Sequence, residues 1–148
     1  MSKITNLLAG LGGAIALNVI HESLKKKSKE TPRVDLLGEE ALQKTVEYFG
    51  GEIEDEKTLY KATLAGDILS NAMYYSMIGN GAPQHLWLRA ISYGVAAGVG
   101  AITLPEPLGL DPEPVAKTKT SQALTVGYYV AGALVTAGIL RAVARKKE

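Results

Sequence analysis

Charge is confined to parts of this chain, and that confinement limits the folds open to it more than any motif does. The runs Ile4 to Ile20, Ala62 to Ile78, Ala90 to Leu104 and Ala123 to Leu140 cover 67 of the 148 residues and hold one charged side chain, Asp67. At the chain-wide share of 21% those positions would carry about 14. A helix crossing the hydrocarbon core needs roughly 20 mostly apolar residues, with a range of about 17 to 25, and the runs reach that length with their flanks. A soluble four-helix bundle would instead set a stripe of Lys and Glu opposite each apolar stripe, and none is present. The 81 remaining residues are too few to jacket four all-round apolar helices.

The fold expected is therefore all-α, an integral membrane four-helix bundle with spans at about 4–21, 60–78, 86–104 and 122–142 in a single membrane domain. The first run reads as a retained span rather than a signal peptide, because Lys25, Lys26 and Lys27 follow it where small residues would mark cleavage. Small residues one turn apart, in Ala9-x-x-x-Gly13, Gly94-x-x-x-Gly98 and Gly127-x-x-x-Ala131, suit close helix packing within the chain or between copies.

Between the spans lie a polar loop over 22–59 and a Pro-rich loop over 105–120. In the first, Asp35 is placed to N-cap an amphipathic helix from Leu36 to Phe49 that ends at Gly50 and Gly51. That helix either lies on the bilayer surface or folds back as a cap over the spans. Glu54, Asp55 and Glu56 mark a second helix start that continues into the second span. Gly79, Asn80, Gly81 and Pro83 predict a compact turn and an antiparallel hairpin of spans two and three. The run from Pro105 to Pro114 predicts an extended surface loop.

Both larger loops then face one side and both termini the other. Ten Lys and Arg fall on the loop side, against six (Lys3, Arg89, Arg141, Arg145, Lys146 and Lys147) opposite, which favours loops in the cytoplasm, of a prokaryotic plasma membrane.

Polar residues inside apolar runs are the candidate site. Thr63, Asp67, Ser70, Asn71 and Tyr74 recur at i, i+4, i+7, i+8 and i+11, a polar stripe along one face of the second span. Asn18, His21 and Glu22 share one face at the end of the first span, at the depth of Thr63 and Asp67 if the two spans are antiparallel. Thr125, Tyr128 and Tyr129 enter from that side on the fourth span. One polar cluster from these three helices is expected. It reads either as interhelical hydrogen bonding or as a cavity for a ligand, ion or proton, with His21 as a candidate proton relay.

Toward the other leaflet, Tyr74, Tyr75, His85, Trp87 and Tyr93 read as an interface belt, with Arg89 as a contact for a lipid phosphate or carboxylate. Two His and no Cys make no conventional zinc or haem site, and no phosphate-binding loop or nucleophile elbow is present. No cofactor or metal is expected. The Lys25 to Lys29 cluster beside a span points to anionic lipid rather than nucleic acid.

The functional expectation is a non-enzymatic binding or transport module for a small solute, ion or lipid headgroup around Asp67. The partners expected are membrane lipids, a small-molecule or ion ligand and further copies of the chain. Two alternatives stand beside it: an enzyme acting on a lipid or isoprenoid through Glu22 and Asp67, and a scaffold subunit acting through the first loop.

Overall fold

The computed structural model describes residues 1–146, and Lys147, counted above among the terminal-side cations, lies outside them. Every regular element among the described residues is helical. Helix α1 (Lys3–Leu24) opens on Ser2, whose hydroxyl accepts from the Thr5 amide. Helix α2 (Val34–Tyr48) follows a polar connection. Helix α3 (Glu56–Ser76) is N-capped by Asp55, which accepts from the Thr58 amide at 2.8 Å and runs on unbroken as its sequence predicts. Two 3-10 turns, Met77–Gly79 and Pro83–His85, lead into α4 (Leu86–Thr103). The short α5 (Glu113–Ala116) precedes α6 (Lys119–Arg145), which Thr118 caps. At 27 residues α6 is about 40 Å long.

Three helical segments are long and apolar enough to cross a membrane: α1, α6, and α4 with the turn before it. Helix α3 has the length, at 21 residues, but its polar stripe and the lysines of its first turns dilute its apolar character.

Helix α1 packs against α3 on one side and α6 on the other, and α6 also carries α4. Small residues set these contacts. A Cβ on Gly13 would collide with the Gly132 carbonyl and the Thr136 hydroxyl, and one on Gly98 would sit 2.5 Å from Val126 Cα. The motif Gly94-x-x-x-Gly98 is thus the α4 side of the α4/α6 contact. A Cβ on Gly127 would meet nothing within 4 Å, so no close approach inside the chain depends on that glycine.

The buried cluster is Ala9, Ala14, Ala72, Ala90, Ala133 and Ala137, with Leu17, Tyr75, Ile78, Leu86, Tyr128 and Leu140. The exposed large apolar residues include Ile4, Leu7, Leu8, Leu11, Ile15 and Val19 on α1, and Trp87, Leu88, Ile91, Val95 and Val99 on α4. Small residues inside and branched aliphatic residues outside reverse the order of a soluble bundle.

The two larger connections meet at one end. The Arg33 amide donates to the Pro114 carbonyl at 2.7 Å, Lys44 reaches the Gly109 carbonyl, and Ser121 Oγ donates to the Glu30 carbonyl. Helix α2 folds back against α3 and α5. Two expectations need correction here. Helix α2 begins one residue before Asp35, so Asp35 sits in its first turn and is not the N-cap, and Arg33 takes that position. The Pro-rich run is not extended: it forms a 3-10 turn, Glu106–Leu108, and then α5. Pro107 and Pro114 stand in the first turn of each, where a helix needs no N–H donor.

Candidate ligand groove

Helices α3 and α4, expected to pack as a hairpin, have α1 and α6 as their main partners instead. They approach where the Tyr74 hydroxyl donates to the Tyr93 carbonyl at 3.0 Å, with the two rings 5.3 Å apart. Toward the capped end they leave a groove of about 600 Å³. Asp67, Ser70, Asn71 and Tyr74 form its α3 wall, and Ala97, Gly100, Ala101 and Leu104 its α4 wall. Tyr129 of α6 contributes from behind, while Leu37, Gly38 and Ala41 of α2 roof it together with Pro105 and Leu108. The helical period that aligned the stripe in sequence therefore points Asp67, Ser70, Asn71 and Tyr74 into the groove, while Thr63, one turn earlier, is buried outside it. Gly38 makes the roof fit, since a Cβ there would lie 2.7 Å from Thr63 Cγ2 and about 3.5 Å from the Asp67 carboxylate.

Asp67 also borders a second, far smaller cavity of about 10 Å³, which Asn18, His21, Glu22, Asp35, Tyr60 and Thr63 share. That is roughly the space of one water molecule. His21 and Thr63 are buried, and neither His21 Nε2 nor Thr63 Oγ1 has a hydrogen-bond partner.

Beyond this cavity lies a charged cluster that the sequence reading did not foresee. Asp35, with its side chain 7% exposed, takes a bidentate pair from Arg33 at 2.8 and 2.7 Å and faces Lys25 Nζ at 3.4 Å. His21 Nε2 lies 3.4 Å from Asp35 Oδ1, an ion-pair distance rather than a well-aligned hydrogen bond, and His21 Nδ1 is 3.5 Å from Glu22. Lys25 closes the ring on Glu22 at 2.8 Å and sits over the Tyr60 ring. Burial by itself would raise the Asp35 pKa. The contact from His21 and the bonds and charge of Arg33 outweigh it and hold the carboxyl well below the usual carboxylate range. The signal available in sequence was position: Asp35 shares a face with Gly38 and Leu42, the core side of an amphipathic helix, where an acid requires a partner.

The sequence-predicted residues thus divide. Asn18, His21, Glu22, Thr63 and Asp67 meet around the small cavity, and Asp67, Ser70, Asn71 and Tyr74 line the groove. Tyr128 is buried edge-on to His21, ring centres 6.3 Å apart, and its hydroxyl has no partner. Thr125 is drawn away to the Val115 and Ser121 carbonyls. Asn18 donates its amide to the Ala14 carbonyl of its own helix. Arg89 stands apart at the opposite end, where Nε and Nη1 donate to the Ile78 and Ala82 carbonyls and hold the turn before α4. Tyr75 does not belong to a surface belt: it is fully buried, and its hydroxyl donates to the Tyr129 carbonyl at 2.8 Å. Trp87 is exposed, as a belt residue would be.

Among the described residues no three His, Asp or Glu side chains converge as a metal site. In comparison with known proteins, no family model, no curated protein and no solved structure matches this chain.

Proposed function

We propose that the chain is a multi-pass membrane protein with α1, α3, α4 and α6 as its spans, and that it works as a non-enzymatic binding module whose α3/α4 groove takes a small amphipathic molecule. The observation that carries this reading is the direction of the α3 stripe: its polar side chains border the groove while the facing α4 wall is Ala, Gly and Leu. Such a cavity pairs a polar strip with an apolar bed, the lining expected for a ligand that is itself two-faced. The inverted packing supports membrane embedding, and the 21-residue length of α3 and its packing along α1 support reading it as the fourth span. An intramembrane acid bordering a cavity rather than a dry helix contact favours binding over packing.

Neither alternative gains comparable support. Glu22 is bound to Lys25 at 2.8 Å, so it is no free partner for Asp67 in acid–base chemistry. The first loop and the Pro-rich segment are joined to each other and to α3 and α6.

The test compares wild type with Gly100→Leu. A Cβ at Gly100 would touch only Leu104 Cδ1, at an ordinary 3.5 Å, so a leucine there enters the groove without pressing on backbone. Protein extracted in lipid particles and examined by native mass spectrometry should carry a bound small molecule that Gly100→Leu loses at unchanged melting temperature. Identical bound species in both proteins would refute the groove as a site.

A further inference from the structure

Building on the proposal that the groove binds amphipathic molecules, we infer that its ligand is a single-chain organic cation, a primary alkylammonium whose head sits at Asp67. The argument is an inventory of donors and acceptors. The Ser70 hydroxyl donates to the Gly66 carbonyl at 2.7 Å, and the Tyr74 hydroxyl donates to the Tyr93 carbonyl at 3.0 Å. With those protons committed, both oxygens offer the groove lone pairs only. An ionised Asp67 is likewise an acceptor, so three of the four polar side chains on this wall ask for donors, and the donors bordering the groove are the Asn71 amide and the Tyr129 hydroxyl.

Charge points the same way. Among the described residues no Lys, Arg or His lies within 4 Å of the Asp67 carboxylate, and no Lys or Arg lines the groove. The one imidazole nearby, on His21, is placed between Asp35 and Glu22. An acid in such surroundings either holds its proton or takes a counter-charge, and with no Lys or Arg in the groove wall that counter-charge can come only from a bound molecule. Tyr74 and Tyr129 border the same space and add aromatic surface, which favours a cation.

An alkylammonium answers both demands, with three N–H donors, one positive charge and a tail for the Ala97 to Leu104 wall. A fatty acid would set carboxylate against carboxylate. A phospholipid would bring its phosphate within a few bonds of the amine and into the same repulsion.

The experiment measures binding of dodecylamine, dodecyltrimethylammonium, dodecanol and dodecanoate to the full chain in phosphatidylcholine nanodiscs. The expected order places dodecylamine first, the quaternary ion second for want of N–H donors, then dodecanol, with dodecanoate weakest. Asp67→Asn should weaken dodecylamine at least about tenfold, the size of one charge-assisted hydrogen bond, and weaken dodecanol far less. Gly100→Leu should weaken both.

Equal binding of dodecylamine and dodecanol, each lost in Gly100→Leu and untouched by Asp67→Asn, would overturn the cation assignment while leaving an amphiphile groove. Binding of every probe that ignores Gly100→Leu would bring down the groove itself. If phosphatidylethanolamine in place of phosphatidylcholine abolished dodecylamine binding, the lipid headgroup and not a single-chain amine would be the ligand.

Discussion

Asp35 and Asp67 are both withdrawn from bulk solvent, yet their surroundings could hardly differ more. Asp35 lies where α1 and α2 meet and is surrounded by Arg33, Lys25 and His21. Asp67 stands one cavity away on α3 and has no such company. The first carboxylate is a fastening that ties the capping helix to the end of α1. The second contributes nothing visible to cohesion, and a costly group without a structural task is where binding is to be sought. Burial alone does not distinguish a site from a fastening; the partners do.

The largest effect should come from removing the fastening. Asp35→Ala leaves three basic groups around an empty centre, and unpairing a buried ion pair costs about 3 kcal/mol or more, read as a fall in melting temperature in detergent. A shift no larger than that of Asp67→Asn would erase the contrast. Next comes the roof between the two acids. Gly38→Val forces a side chain onto Thr63 and toward Asp67 and should cost about 2 kcal/mol, with increased proteolysis of the 25–55 segment as α2 lifts.

Acid should loosen the fastening as well. Because the folded-state pKa of Asp35 is depressed, its stabilisation is complete above the ordinary carboxylate value of about 3.9 and is lost as pH falls below that toward the lowered one. Stability of the wild type should therefore decline on that acid limb by up to about 1.4 kcal/mol per pH unit from this group, and Asp35→Asn should flatten the limb. A limb unchanged in the variant would assign acid sensitivity elsewhere.

Smaller still is Tyr74→Phe. It removes the bond to the Tyr93 carbonyl at the closed end of the groove and should cost about 1 kcal/mol, measured against the wild-type unfolding curve. Least of all is Asp67→Asn, which should alter stability by no more than about 0.5 kcal/mol, since no internal partner is lost. A loss of several times that size would make Asp67 a fastening after all.

Much of the helical layout was legible because it depends on neighbours along the chain. Charge segregation and turn residues placed the expected spans within a few residues of α1, α3, α4 and α6, and Asp55 capped α3 where acids crowded its start. The α3 stripe was equally legible, being a matter of helical period. What misled was chemistry read locally. Asp35 looked like a cap because it precedes an apolar-periodic segment, while its partner His21 lies across a connection that no periodicity describes. Tyr75 resembled an interface residue until α6 was packed over it. The prolines implied an extended loop, yet each met the demands of a first helical turn.

Sequence alone determined that this is a chain of long apolar helices with one polar face among them, because the free energy of exposing apolar surface and of fixing a helical period is set residue by residue. Which helices touch was decided only in three dimensions. Backbone approach at Gly10 with Ala72 seats α3 on α1, at Gly13 with Gly132 seats α6 on α1, and at Gly94 and Gly98 seats α4 on α6. That choice leaves α3 and α4 apart, and the polar face of α3 acquires a groove instead of a neighbour.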